Sequence, residues 1–444
     1  MFRYLKLSLL WAICCYAVVP VHSWGSPLST DNPAPLKVEV VQVASGYQLQ
    51  RNGRPYWIKG AGMNVSEVEI FASHGGNSLR TWSTGGDAAT GRKFLDEAAK
   101  YGVTVALCLD LGRERHGFDY NDEEAVAKQL EFARGEVLKY KDHPALLFWI
   151  IGNELNHGYT NPRVFDAINA ISKMIHAEDG YHPTTTALTG FSAELLADAE
   201  SRAPDLDFLS FQLYAGIDQL PHKIKEVGYT KPFMITEWGA TGHWEVSKTA
   251  WGAPIEMNSS EKADHFLARY EKVIAAHSNQ IVGSYVFLFG QKQERTPTWY
   301  GMLLEDGSRT EAMDVMHYIW NGQWPAQRAP HVREMLLDAK RADQSVVLDA
   351  GRRYQARLDA VDPDEGELTY QWMIMHESEA TEQGGDPEVI PETVAIEIVA
   401  EDNGNIMLTA PEEPGAYRLF SHVYDDSGLA GHANIPFLVE ALPQ

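Results

Sequence analysis

Two glutamates close apolar runs in this chain. Glu154 ends Trp149-Ile-Ile-Gly-Asn-Glu154, and Glu237 ends Phe233-Met-Ile-Thr-Glu237 and is followed at once by Trp238. The run from Leu146 to Ile151 holds no polar residue, which suits a strand covered on both faces. It stops abruptly at Gly152-Asn153-Glu154, so an amide and a carboxyl stand at its C-terminal mouth. Two carboxyls converging on one mouth suit cleavage of a glycosidic bond. One donates a proton to the leaving oxygen while the other attacks or activates water. Either glutamate alone reads as well as a strand-end ion pair; the pair, with matching surroundings, reads as chemistry.

Such a pair needs a frame that brings distant strand ends together. Short apolar strands alternate with amphipathic stretches after residue 55: Tyr56–Gly60, Asn77–Thr81, Val103–Leu111, Leu146–Glu154, Thr184–Gly190, Phe208–Tyr214, Pro232–Trp238 and Ile281–Phe289. Helical patterns fall between them at Gly91–Tyr101, Glu123–Tyr140, Pro162–His176 and Ser260–His277, and a last one follows at Thr310–Trp320. Eight βα units predict a closed (β/α)8 TIM barrel, whose site sits at the C-terminal ends of the strands. The glutamates then end strands four and seven. A doubly wound open sheet is disfavoured, because no Gly-rich phosphate loop follows any strand. Ahead of the barrel, Asn52-Gly53 predicts a β-hairpin between Tyr47–Gln50 and Tyr56–Lys59.

The pattern changes after Trp320. Pro325 and Pro330 mark a linker over 326–344, and residues 345–444 read as short strands of a β-sandwich, with Ser378–Glu392 as a polar, acidic loop. At the other end, Arg3 and Lys6 precede an apolar run from Leu7 to Val19, so residues 1–23 read as a signal peptide. The protein is then secreted or periplasmic; the alternative is an N-terminal membrane anchor facing outside the cytoplasm. The catalytic domain is expected over 24–325, without stable membrane insertion once the leader is cleaved. Cys14 and Cys15 lie in the leader, which leaves Cys108 as a buried barrel residue rather than a reactive thiol.

The net charge is −24, and residues 341–444 carry 21 acidic against 5 basic side chains. That surface excludes a nucleic-acid partner and favours a neutral oligo- or polysaccharide over a polyanion. No His-Glu-x-x-His pattern or cysteine pair occurs, so neither a cofactor nor a catalytic metal is expected. Asp362, Asp364 and Asp425 offer oxygen atoms of the kind calcium takes, but turn chemistry is the stronger reading. The Asn-x-Ser sequons at Asn64 and Asn258 are short enough to arise by chance.

The Gly-Asn-Glu and Thr-Glu-Trp-Gly strand endings resemble those of clan A glycoside hydrolases. Across residues 48–320 the chain is similar to the barrel domain of glycoside hydrolase family 2, notably at Arg51–Gly60 and at Gly76-Asn-Ser-Leu-Arg80-Thr-Trp82. The resemblance implies a retaining double displacement with Glu154 as acid/base and Glu237 as nucleophile. It further implies that Asn153 holds the sugar 2-hydroxyl, that Tyr214 hydrogen-bonds the nucleophile and that Arg80 lies beneath it. The jelly-roll and immunoglobulin-like domains that precede the barrel in typical members are not expected within residues 24–47, the stretch ahead of the first barrel signals. Strand eight has Phe287 and Phe289 where relatives commonly carry tryptophan, so substrate preference is not carried over. In the tail, Leu348–Tyr354, Val361–Trp372, Pro414–Tyr417 and Tyr424–Leu429 resemble bacterial immunoglobulin-like modules of the polycystic-kidney-disease and cadherin-like kinds.

Aromatic residues crowd the segments after the strands: Trp82, Trp238, Trp244, Trp251, Trp299 and Tyr300. Flat rings complement the C–H faces of sugars, and Trp238 and Trp299 are the preferred candidates because they lie nearest strand ends. The polar segment Gln291–Trp299 is a further candidate for lining the cleft, and His116, His157 and His243 for holding hydroxyls. The leading expectation is hydrolysis of a neutral β-linked glycan, with a lean to β-glucan. Transglycosylation needs the same two glutamates, and only analysis of products formed with an acceptor sugar separates it. A non-catalytic carbohydrate-binding or adhesin-like protein is disfavoured, since a decayed site would be free to lose both carboxyls.

Overall fold

The computed structural model describes residues 35–63, 67–86, 88–381, 385–395, 397–400 and 404–441. The leader expected at 1–23, with Cys14 and Cys15, and the sequon at Asn64 lie outside the described residues.

Three short strands, β1 (Val38–Val43), β2 (Gly46–Arg51) and β3 (Arg54–Pro55), form an antiparallel sheet turned by Asn52-Gly53. Then eight strands alternate with eight helices. They are β4 (Gly60–Met63), α1 (Val68–Ser73), β5 (Ser78–Arg80), α2 (Ala88–Lys100), β6 (Thr104–Leu109), α3 (Glu123–Tyr140), β7 (Leu146–Asn153) and α4 (Arg163–Glu178). The second half runs β8 (Thr184–Thr189), α5 (Ala193–Arg202), β9 (Leu209–Gln212), α6 (Leu220–Val227), β10 (Phe233–Gly239), α7 (Ser259–Arg269), β11 (Ile281–Phe289) and α8 (Glu311–Asn321). The strands close in the order β4 to β11, every neighbour parallel. The predicted α/β barrel is present.

Burial explains the sequence pattern. Every residue of β7, β10 and β11 is buried, because helices cover one face and the barrel interior the other. The interior is filled by Ala106, Cys108, Phe148, Ile150, Met234 and Tyr285, which pack with Val38, Leu49 and Ile58 from the start of the chain. The small N-terminal sheet therefore plugs the barrel at the N-terminal ends of its strands, opposite the expected site. Backbone bonds from Val38 to Tyr181 and from Tyr47 to Asn279, both just ahead of strands, fix it there. Burial pushes the Cys108 thiol up to about 12, which makes it inert.

The first barrel strand starts at Gly60 rather than at Tyr56. Tyr56-Trp-Ile has strong strand propensity, but Ile58 serves as plug, whereas Gly60-Ala-Gly-Met makes the strand despite two glycines. Space is the reason at Gly62, where a Cβ would stand 2.9 Å from the Trp82 ring. The helix expected over Ser260–His277 is α7 followed by a π-helical segment, Tyr270–Ala275. Asn258 caps α7 by accepting from Ser260 and Glu261, so its sequon position is a helix cap.

The tail forms two sheets around one apolar core. Its strands are β12 (His331–Leu337), β13 (Val346–Asp349), β14 (Arg353–Val361), β15 (Thr369–His376), β16 (Thr393–Val394), β17 (Ile398–Ala400), β18 (Asn405–Thr409), β19 (Gly415–Tyr424) and β20 (Ala430–Glu440). One sheet runs β12-β14-β18-β17, the other β13-β20-β19-β15-β16. The expected linker at 326–344 thus contains an edge strand of the sandwich. A bulge between Val332 and Glu334 shifts the alternation, burying Val332, Met335 and Leu337, and this concealed the strand from a period-2 reading. Asp362 accepts from the amides of Asp364 and Gly366, and Asp425 from those of Ser427 and Leu429, as turn residues do. Among the described residues no helix is long and apolar enough to cross a membrane.

Candidate active site

The end of β7 breaks the rule that successive side chains face opposite ways. Gly152 has φ +74, and a Cβ there would lie 2.4 Å from Leu155. Glu154 itself sits in the left-handed region at φ 51, and pairing with β8 slips between Ile150 and Asn153. These two departures turn both Asn153 and Glu154 toward the cleft instead of sending one outward. A non-glycine residue held in that conformation is the kind of strain found at functional sites. The Glu154 amide, donating to the Ala187 carbonyl at 2.8 Å, fixes the kink.

On β10, a register slip between Ile235 and Glu237 sets Glu237 level with Gln212 of β9. Its carboxylate is crowded with donors. Arg80 and Trp82 donate to Oε1, the latter at 2.8 Å; Gln212 donates to the same oxygen at 3.0 Å, and Tyr214 to Oε2 at 2.8 Å. Arg80 is fully buried, pairs with Glu237, and also donates to the Thr236 carbonyl at 3.1 Å and to Asn153. Burial and the neighbouring Glu237 hold the Tyr214 hydroxyl well above its usual range, so it remains a donor.

Asn153 is oriented by the same network. Its Oδ1 accepts from Arg80 and, at 2.7 Å, from Gln212, which leaves its NH2 group as the atom offered to the cleft. Glu154 lies in the opposite electrostatic environment. Burial first, then the facing Glu237 carboxylate, push its carboxyl up to about 7, against the pull of Arg115 and Arg80. One glutamate thus accepts from four side-chain donors, and the other holds its proton near neutral pH.

Both open into a cleft of about 660 Å³ at the C-terminal mouth of the barrel. Trp82, Tyr214, Trp244 and Phe287 supply its aromatic surface, and a cis peptide joins Phe287 to Leu288 within β11. Trp244 is half exposed and meets Tyr214 edge to face at 5.6 Å. His157 and His243 also line it, whereas His116 meets Asp386 at 3.0 Å from beside it. Lys292 and Glu294 bring the segment after β11 into the same wall.

Five of the seven residues expected at the site meet there: Glu154, Glu237, Asn153, Arg80 and Tyr214. Trp238 and Trp299 do not. Trp238 follows Glu237 on a strand and therefore faces outward, packing on Phe266 and Tyr270. Trp299 is buried with its indole donating to the Thr241 carbonyl at 2.9 Å, one layer behind the cleft. Trp251 and Tyr300 also stand off the lining, Tyr300 backing Tyr214 and Phe287. Gln212 was missed although it lies two residues before Tyr214; its level pairing with Glu237 is set by the register slip of β10 on β9. Gly385 and Asp386 of the tail line the cleft too, which nothing local in the sequence announces.

Residues 86–315 match the family described as glycosyl hydrolases family 2, TIM barrel domain. No curated protein matches the chain. Among solved structures, the chain is similar to a β-glucuronidase of Bifidobacterium dentium at 18% identity and a TM-score of 0.50, covering 64% of this chain and 49% of that one. It is similar also to a β-glucuronidase of Ruminococcus gnavus at 15% identity and a TM-score of 0.50, covering 65% and 53%. The chain spans about half the length of each, and at such identities the likeness is one of fold alone. The family match, extending over more than half the sequence, is decisive: the chain belongs to glycosyl hydrolases family 2 through its barrel.

Proposed function

We propose that this chain hydrolyses a neutral β-linked glycan with retention of anomeric configuration, using Glu237 as nucleophile and Glu154 as acid/base. The observation that carries the reading is the opposed environment of the two carboxyls. Glu237 accepts hydrogen bonds from Arg80, Trp82, Gln212 and Tyr214, while Glu154 is pushed up to about 7 by burial and by Glu237. Two carboxyls in such different surroundings divide the roles of acid and nucleophile between them.

The steps follow from the groups present. Glu237 attacks the anomeric carbon as the glycosidic C–O bond breaks, and Glu154 gives its proton to the departing oxygen. Glu154, now a carboxylate, takes a proton from water. That oxygen attacks the same carbon and returns Glu237 as a free carboxylate. The Asn153 amide is placed to donate to a hydroxyl beside the reacting carbon, and Trp244 offers a ring face to the sugar. The lining also bears on charge. Arg113, Arg115, Lys223 and Lys292 are matched by Glu154, Glu237, Glu245, Glu294 and Asp386, so the cleft carries no cationic excess for a polyanion.

A panel of aryl β-glycosides, followed by NMR of the first-formed anomer, tests the reading. Retention is expected. A first-formed α-anomer would overturn the double displacement, and no turnover of any β-glycoside would overturn the function.

A further inference from the structure

The wall of the cleft is not made by the barrel alone. Residues 385–388, ahead of β16 in the sandwich, are seated on two barrel loops. Lys292, after β11, donates to the Gly385 carbonyl at 3.0 Å, and the Arg295 amide donates to Glu388 at 2.6 Å. On the far side, Arg115 after β6 donates to Asp386 Oδ1 at 3.0 Å, and His116 meets Oδ2 at 3.0 Å. The loops so bridged follow the eighth and third barrel strands, and β4 and β5 stand between these in the ring. The tail therefore closes the mouth on the side of the first two strands. The acidity of this segment suits that seat, since barrel cations receive it.

Asp386 is not consumed by this docking. Its side chain is 27% exposed, Gly385 and Asp386 both face the cleft, and each carboxylate oxygen keeps a lone pair beyond the bond described. Arg115 follows β6, the strand paired with β7, at whose end Glu154 stands, and it lies beside Gly158, where a Cβ would lie 3.9 Å from that of Arg115; Glu237 is on β10, across the ring. Asp386 and Arg115 thus border the proton donor rather than the donor-crowded Glu237. In a retaining pair, the groups beside the proton donor border the leaving group.

We propose that Asp386, carried by the C-terminal sandwich, is a substrate-positioning residue of the leaving-group side of the cleft. With Arg115 it binds vicinal hydroxyls of a sugar leaving group. The assignment rests on the glycosidase reading above. A carboxylate beside a guanidinium recognises a diol, accepting from its hydroxyls and donating to their oxygens, and gives no such gain to a flat aromatic leaving group.

The test uses the full chain and two substrates with the same glycosyl half: an aryl β-glycoside and the β-linked disaccharide of that sugar. Asp386→Asn, with its melting temperature measured alongside, should lower kcat/KM on the disaccharide about tenfold or more, chiefly through KM, and leave the aryl glycoside within about threefold. Equal losses on both substrates would reduce Asp386 to a docking role and overturn the proposal, as would no loss on either. A wild-type chain that cleaves neither substrate would sink the glycosidase reading and this assignment together. Normal wild-type turnover with non-selective loss sinks the assignment alone.

Discussion

Tyr214 donates to one carboxylate oxygen of Glu237 at 2.8 Å, while Arg80, Trp82 and Gln212 share the other. A carboxylate tied at both oxygens keeps one orientation. Tyr214→Phe removes a single donor while keeping the ring that Trp244, Phe287 and Tyr300 pack against. Loss of a hydrogen bond to a charged group should lower kcat about 10- to 100-fold with the melting temperature little changed. An unchanged kcat would show that the hydroxyl does not tune the proposed nucleophile.

The raised affinity of Glu154 for its proton sets a pH dependence. The group is protonated below about 7 and loses its proton above, so the proposed acid is available on the acidic side. The kcat/KM of a substrate with a poor leaving group should therefore fall as pH rises through about 7, and Glu154→Gln should remove that limb. A limb that persists in Glu154→Gln would assign the titration to another group.

The two glutamates should also separate by chemistry. Glu237→Ala should abolish turnover. Glu154→Ala should lose about 10²- to 10⁴-fold on poor leaving groups, yet still release activated ones. Added azide should accelerate that variant and yield the β-glycosyl azide, seen by mass spectrometry and NMR. Near-normal activity of both variants on a natural glycan would overturn the assignment.

What was legible in the sequence follows from the range of the forces involved. Buried parallel strands must be continuously apolar, so a carboxyl at the end of one stands out, and Glu154 and Glu237 could be read directly. Their neighbours obey parity. Trp238 lies next to Glu237 in sequence and on the opposite face in space, so closeness to a strand end was the wrong guide and facing direction the right one. Gln212 meets Glu237 through the register of β9 on β10, and Trp82 approaches it only because the sheet closes. Asp386 lies more than two hundred residues from Glu154, and its place depends on how the sandwich seats against the barrel. The sandwich edge β12 was hidden by a single bulge.

That seat carries a prediction about stability. Asn434 of β20 donates to Glu256 at 2.6 Å, and Thr296, Thr298 and Lys262 of the barrel donate to the same carboxylate. The His432 and Val332 amides donate to Ser259 and Ser260 at the start of α7, and Arg418 donates to the Pro254 carbonyl. Burial alone would raise the Glu256 carboxyl, but Lys262, His432 and the hydroxyls bring it down to about 2. Its affinity for a proton is thus lower folded than unfolded. The group contributes stability above the ordinary carboxyl range near 4.5, and that contribution is lost as pH falls toward 2. A chain ending near Pro330 strips Asn434 from a buried carboxylate, exposes the start of α7 and removes Asp386 from the cleft. It should aggregate, or melt well below the full chain. In the full chain, Asn434→Ala should cost about 1–3 kcal/mol, the penalty of leaving a buried acceptor short of a donor. A chain ending at Pro330 that melts cooperatively at the full-length temperature would show that the barrel needs nothing from the sandwich.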